Sequence, residues 1–303
     1  MVRFAAFTVM LAGVGVSSAA NSADAFWRSP DAYLGETPPS DTPKIFAPGR
    51  LVEAGAFNSG RVAFSKDGRE LYYTQNDSWN SDEHAKLLTM RFADHRWTGP
   101  SLVAGKMMVP TLSIDGQTLY MRRGGMKNVW RAQRIKDGWS TPAVFLEPQI
   151  GVYDFMPTAS GNFYAGSDPD ETDRKNGITS AYSLLTISGG EVKAKSLGLP
   201  LNEPGFNGDL FIAPDESYMI VSAKETKDYE SELYISFRDA THHWSQPVSL
   251  GANINAGLAH RWGQYVTPDG KFLFYTHASS EKDCAVHWVR FDDLLASLRP
   301  KRS

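Results

Sequence analysis

One short pattern occurs five times in this 303-residue chain. In each copy an apolar strand runs into a tight turn and continues as an aromatic strand, although the third copy is degenerate. The turns are centred on Asp67, Asp115, Asn162, Asp215 and Asp269, so the copies are spaced by 48, 47, 53 and 54 residues. A repeat of this length is typical of architectures built from one supersecondary unit used many times.

Each interval has room for four short strands, and this predicts an antiparallel blade. The Asp-Gly pairs at positions 67–68 and 115–116 suit tight hairpins, because glycine accepts positive φ and aspartate caps the turn. A second motif, Trp-x-x-Pro, occurs at Trp97–Pro100, Trp139–Pro142 and Trp244–Pro247 and is predicted to precede outer strands. The repeats therefore predict an all-β, five-bladed β-propeller of four-stranded antiparallel blades, with six blades as the alternative.

The fifth unit has too few strands to complete a blade. Strands are predicted near 261–267, 271–276 and 284–290, and a short helix over 291–298 follows. An orphan strand-like segment, residues 44–53, precedes the first unit. If this N-terminal strand pairs as the outer strand of the last blade, the ring closes and no sheet edge is left open.

These motifs resemble the TolB-type, WD40-like β-propeller repeat. Within that likeness, the chain more closely resembles a group of exported bacterial single-domain propellers, mostly of unknown function, through Tyr33–Glu36, Phe46–Gly49 and Ile212–Tyr218. The resemblance covers about residues 33–301 and implies the fold. It implies no single activity, because propellers serve as scaffolds, receptors and enzymes.

The first residues read as a secretory signal. Arg3 is followed by a 13-residue apolar stretch, Phe4–Val16, and then by small residues. That stretch is shorter than the roughly 20 residues a membrane-spanning helix needs. We therefore predict a signal peptide over 1–22, an N-terminal extension over 23–43 and the propeller over 44–303, in a periplasmic or secreted monomer without a transmembrane segment.

Composition excludes several classes of function. Lys and Arg number 31 against 34 Asp and Glu, a formal charge of −3, which gives no reason to expect a nucleic-acid partner. The single cysteine, Cys284, forms no internal disulfide and is expected to be buried. The sequence contains no phosphate-binding loop, no Gly-x-Ser-x-Gly elbow and no zinc signature.

In a propeller of this strand order, the starts of the innermost strands share one face with the loops joining second and third strands. We call this the entrance face and predict that it binds the ligand. Positions eight residues before each turn centre are expected around the channel mouth there: Ser59, Met107, Asp154, Asn207 and Arg261.

Two groups near this mouth could carry chemistry. Asp154 and Asp209 are a candidate pair of glycosidase carboxylates, since that reaction needs two such groups about 5–9.5 Å apart. The structural interpretation is that both accept backbone hydrogen bonds. His260, Arg261 and Trp262 could hold an acidic glycan or act in a lyase. The alternative for this cluster is a packed tryptophan beside an arginine paired with Asp154 or Asp209.

The loop Ser167–Gly177 holds four acidic residues in six positions, so calcium is a possible ligand there. The loop lacks the twelve-residue calcium-loop pattern, however, and we interpret it as a solvated loop without a cofactor.

We predict a binding module for a glycan, peptide or envelope protein. Its ligand-binding residues would be Asp154, Asn207, Asp209, His260, Arg261 and Trp262. The alternatives are a carbohydrate-active lyase or hydrolase using Asp154, Asp209, His260 and Arg261, or a passive scaffold whose channel holds no pocket.

Overall fold

The protein is a ring of five antiparallel sheets, as seen in a computed structural model. The five-bladed propeller is confirmed, and the six-bladed alternative is wrong. The structure describes residues 23–300 with the exception of 59, 80, 126–127, 148–150, 190, 206–207 and 224–229. The predicted signal peptide, residues 1–22, lies outside the described residues. None of the described helices is long and apolar enough to cross a membrane.

The strands follow the blades in chain order, except that the first strand belongs to the last blade. Blade 1 contains β2 (Phe57–Asn58), β3 (Ala63–Phe64), β4 (Glu70–Asn76), β5 (Lys86–Ala93) and β6 (Arg96–Gly105). Blade 2 contains β7 (Met107–Leu112), β8 (Thr118–Arg123), β9 (Val129–Ile135), β10 (Gly138–Trp139) and β11 (Ala143–Leu146). Blade 3 contains β12 (Val152–Pro157), β13 (Phe163–Ser167), β14 (Ala181–Ser188) and β15 (Glu191–Ser196). Blade 4 contains β16 (Leu210–Ile212), β17 (Tyr218–Ala223), β18 (Glu232–Phe237) and β19 (Val248–Ser249). Blade 5 contains β20 (His260–Val266), β21 (Phe272–Ala278), β22 (Ala285–Arg290) and β1 (Lys44–Ile45).

Helical structure is sparse. It comprises residues 23–27, the 3-10 segments Ala32–Gly35 and Glu281–Asp283, and the α-helices Glu171–Lys175 and Asp292–Leu298. The last of these, the C-terminal helix, confirms the helix predicted over 291–298.

The N-terminal strand closes the ring as predicted. Lys44 pairs with Trp288 and Ile45 with His287 in antiparallel register. The strand is shorter than the predicted segment 44–53, because Ala47 and Gly49 have positive φ and the intervening Pro48 has no N–H to donate. The rest of the segment folds over the blades and buries Phe46 and Leu51 in the core.

Three of the five repeated turns share one hydrogen-bond pattern, which explains the motif. In the first copy the Ser65 hydroxyl donates to Asp67 Oδ1 over 2.6 Å, and Asp67 Oδ1 also accepts the Arg69 N–H. Ser113 with Asp115 and Thr267 with Asp269 repeat this arrangement. These hairpins join the first and second strands of each blade, so they lie opposite the entrance face, on what we call the turn face.

The Trp-x-x-Pro motif does not always precede the outer strand. In blade 1 the motif Trp97–Pro100 lies inside β6, where an irregular register between β5 and β6 accommodates it. In blade 2 the motif separates β10 from β11, so the outer strand there is split into two short pieces.

The N-terminal extension packs against the turn face beneath blades 5 and 1. Trp27 and Tyr33 are buried and contact each other, with ring centroids 5.2 Å apart. The Trp27 indole donates to the Lys66 carbonyl over 3.1 Å, and the Tyr33 hydroxyl donates to Asp269 Oδ2 over 2.6 Å. Gly68 permits this contact, because a Cβ there would lie 2.9 Å from the Trp27 ring.

We expect Tyr33→Phe to lower the free energy of unfolding by about 1–2 kcal/mol, because Asp269 loses a donor that is largely shielded from water. Tyr73→Phe is a matched control. The Tyr73 side chain is fully buried, and its hydroxyl has no hydrogen-bond partner within the described residues. Its loss should therefore be neutral or stabilising. Urea unfolding of the two variants measures the difference, and equal effects would contradict this account of the extension.

Candidate functional site

A buried arginine, Arg61, crosses the centre of the channel. It lies between β2 and β3 of blade 1 with no exposed surface. Its Nη1 donates to Thr111 Oγ1 over 2.9 Å, and its Nη2 donates to the Leu210 carbonyl over 2.6 Å and to Asp154 Oδ1. One side chain of blade 1 therefore contacts blades 2, 3 and 4 at once. Sequence analysis missed Arg61, although it directly precedes the apolar strand of the first repeat.

Asp154 is the carboxylate partner of Arg61. It has a positive φ of 54° and is buried on β12. Its second oxygen accepts the Leu210 N–H from blade 4. Burial raises the pKa of Asp154 above its ordinary value, although the Arg61 charge opposes the shift. Because both oxygens are bound by protein donors, Asp154 has the surroundings of a structural ion pair.

Asp209 lies nearer the entrance face and is partly exposed. Its Oδ2 accepts the Gly263 N–H of blade 5 over 2.9 Å. Gly263 has a φ of +63°, and a Cβ there would lie 2.3 Å from the Gly60 backbone, so the inner strands of blades 5 and 1 are in close contact. Asp154 and Asp209 thus both accept backbone hydrogen bonds from the next blade, as the structural interpretation predicts.

Arg261 does not take the channel position that was expected for it. It is buried and donates to backbone carbonyls of Ser231 and of residues 254–259. Among the described residues, no carboxylate lies within salt-bridge distance of Arg261. The interpretation that it pairs with Asp154 or Asp209 is therefore wrong. Arg61 forms the ion pair, and Arg261 fixes the loop between blades 4 and 5.

The aromatic cluster on the entrance face does form. The His260 and Trp262 rings stack with centroids 4.2 Å apart, and Trp79 of blade 1 meets Trp262 edge to face at 6.3 Å. Burial lowers the pKa of His260 to about 4, against the attraction of Asp209, so the imidazole is neutral at pH 7. Sequence analysis missed Trp79, which comes from the loop after β4.

The remaining predicted mouth positions divide in two. Met107 is buried at the start of β7, and Ser59 and Asn207 lie outside the described residues.

The acidic loop Ser167–Gly177 contains a short helix, whose cap Asp170 accepts the Asp173 N–H over 2.8 Å. Within the part of the chain that the structure describes, no three His, Cys, Asp or Glu side chains form a group that could hold a metal ion. The expectation of a solvated loop without a cofactor, with calcium as the alternative, stays a prediction.

An apolar pocket of about 510 Å³ opens on the turn face, opposite the predicted ligand face. We call it the turn-face pocket. Arg61 is one of its lining residues, and all five inner strands contribute apolar side chains to its wall, with Leu295 of the C-terminal helix also lining it. The side chains from the strands include Phe64, Leu112, Met156, Phe211, Ile212 and Tyr265. The signal for this pocket is present in the repeat itself, because these residues are the apolar positions that lead into the turns.

No protein-family model matches the chain, and no curated protein sequence does. Solved structures that are similar include Kuenenia stuttgartiensis hydrazine synthase, with 16% identity, a TM-score of 0.41 and 76% of this chain covered. A Dyadobacter fermentans protein of unknown function has 11% identity and a TM-score of 0.49, over 82% of this chain and 81% of its own. TolB from Acinetobacter baumannii has 11% identity and a TM-score of 0.44, over 77% of this chain.

The chain spans 58% of the hydrazine synthase chain and 54% of the TolB chain. A TolB propeller is thus among the similar structures, as the resemblance predicts. At these identities the likeness concerns the fold.

Proposed function

We propose that the protein is an exported binding module that recognises an apolar peptide segment of an envelope protein. The observation that carries this proposal is the turn-face pocket. Its volume of about 510 Å³ lies within the usual range of roughly 300–1,000 Å³ for ligand sites. The exported location rests on the signal-like sequence of residues 1–22.

The chemistry of the pocket favours a peptide over a glycan. Its wall consists mainly of aliphatic and aromatic side chains, and Pro157, Pro214 and Pro268 also line it. Such a surface gains free energy by covering apolar side chains, at about 25 cal/mol per Å². The wall offers few hydrogen-bond partners for the many hydroxyl groups of a sugar.

A glycan ligand is the second candidate, and one observation favours it. Trp79 is 37% exposed and stands beside Trp262 and His260 on the entrance face. Aromatic rings at a channel mouth can pack against the flat faces of sugar rings. The lyase or hydrolase alternative would also place its site on the entrance face of the protein, with Asp209 in it. The passive scaffold predicts a channel without a pocket, so the turn-face pocket weighs against it.

The proposal predicts that Ile114→Ser weakens peptide binding by about 5–10-fold, because about 1 kcal/mol of apolar contact is lost. Ile114 lines the turn-face pocket and is 40% exposed, so the protein should fold normally. Peptides would be selected from a displayed random library on the purified wild-type protein, and their affinities measured by calorimetry.

Leu258→Ser is the matched control. It makes a comparable apolar-to-serine change on the entrance-face loop, where Leu258 is 77% exposed. Selected peptides should bind this variant as they bind the wild type. The proposal would be overturned if no peptide were selected, or if only Leu258→Ser lost peptide affinity. If only Leu258→Ser lost affinity and the protein also bound neutral or acidic oligosaccharides, the glycan candidate would be supported.

A further inference from the structure

The turn-face pocket carries an excess of positive charge. Lys66 and Arg299 line it, while Asp215 is its only lining carboxylate among the described residues. Arg61 also lines it, but its charge is paired with Asp154. Neither Lys66 nor Arg299 has a carboxylate within 4 Å in the described part of the chain, unlike Lys271, which pairs with Asp269 on the same face. The surroundings of this apolar pocket therefore favour an anionic group on the ligand.

The buried arginine gives an independent indication. Arg61 makes three hydrogen bonds, but its Nε is buried and has no partner within the described residues. A buried N–H without an acceptor is costly, and an oxygen of a bound ligand would relieve that cost. Arg61 thus keeps one donor without an acceptor in a side chain that lines the pocket, whereas its charge is paired with Asp154.

The pocket also continues beyond the channel. A second, larger groove of about 1160 Å³ crosses the turn face of blade 4. It shares Asp215, Ser217 and Arg299 with the turn-face pocket. Its remaining lining is mixed, with Arg238, Asp239, His242 and Trp244 among the residues. An open, partly polar groove that leads out of an apolar pocket fits an extended chain with backbone amides, whereas a simple fatty acid would end inside the pocket.

We propose that the pocket binds the free C-terminal carboxylate of a partner peptide that ends in an apolar residue. This inference rests on the function proposed above. The apolar side chain of the last residue would fill the turn-face pocket, and its carboxylate would be attracted by Lys66 and Arg299, which line the pocket without a carboxylate partner among the described residues. The upstream residues would lie in the groove of blade 4.

Two synthetic peptides test this proposal: acetyl-Gly-Ala-Leu-Phe with a free carboxylate, and the same peptide as its C-terminal amide. The free acid should bind the purified wild-type protein about tenfold more tightly than the amide. In the Lys66→Met/Arg299→Met double variant this preference should fall to about twofold or less. Lys193→Met, which removes an exposed lysine from blade 3, should keep the tenfold preference.

Equal affinities of acid and amide for the wild type would overturn this inference and leave the proposed peptide binding intact. Decanoate is the third probe. If it binds tenfold more tightly than the free-acid peptide, the ligand is a fatty acid, and the peptide assignment is wrong. Absence of any selected peptide in the library experiment would instead refute the underlying function.

Discussion

Replacing Arg61 by methionine is expected to lower the free energy of unfolding by about 3–5 kcal/mol. Methionine retains much of the side-chain volume, so the loss comes mainly from electrostatics. The substitution leaves Asp154 buried without its cationic partner and removes the bridges to Thr111 and Leu210. Chemical denaturation of purified protein measures the change.

A double-mutant cycle identifies the cause. Asp154→Asn removes the buried charge, so the double variant Arg61→Met/Asp154→Asn should be more stable than Arg61→Met alone by about 1–3 kcal/mol. If the two single losses simply add, the pair is not coupled, and Arg61 acts only through its contacts with blades 2 and 4.

The loss of folding stability caused by Arg61→Met should also depend on pH. Burial already raises the pKa of Asp154, and removal of the opposing Arg61 charge should raise it further. A carboxyl group whose folded-state pKa exceeds its unfolded value of about 3.9 favours folding at low pH and opposes it as pH rises. The destabilisation should therefore be larger at pH 8 than at pH 5.

The second large effect concerns Glu216, which stands where other copies of the turn have glycine. Its φ is +59°, so Glu216→Gly would relieve backbone strain and restore the repeat. We nevertheless expect a net loss of about 2–4 kcal/mol, because the carboxylate joins blades 3 and 4. It accepts hydrogen bonds from Thr158, Ser160, Asn162, Tyr164 and Arg238.

The control is Glu216→Gln, which keeps the shape without the charge. Burial opposes ionisation of Glu216, but the hydrogen bonds from Ser160 and Thr158 outweigh it and lower the pKa to about 2. Its contribution to stability is therefore present above the unfolded pKa and is lost as pH falls from about 4.5 to 2. Both variants should lack this acid-dependent loss. A Glu216→Gly protein as stable as the wild type would show that the turn strain, not the network, dominates.

The architecture could be predicted because it depends on local chemistry that repeats. Each Asp-Gly turn forms its hydrogen bonds within a few residues, as Ser65 and Asp67 do, so the five copies are visible along the chain. The closing strand could also be inferred, since a three-stranded last blade leaves an edge that must be covered.

The channel could not be predicted to the same extent, because its contacts join residues far apart in sequence. Counting along the repeat predicted that Arg261 lies at the channel mouth. The inner strand of blade 1, however, is broken into β2 and β3, and this break places Arg61 at the centre of the channel. Periodicity does not reveal which of two arginines reaches a carboxylate 93 positions away. The same limit hid Trp79, whose partner Trp262 belongs to another blade.

The ring closure has a consequence for the biogenesis of the protein. The outer and inner strands of the last blade come from opposite ends of the chain, and paired residues such as Lys44 and Trp288 are 244 positions apart. A nascent chain presents its first strand long before the matching strand is synthesised. Until then Phe46 and its neighbours have no blade 5 to pack on, and loop closure over this distance is slow. The early segment thus stays without its partner strands through most of synthesis, and assembly ends with the joining of the two ends of the chain.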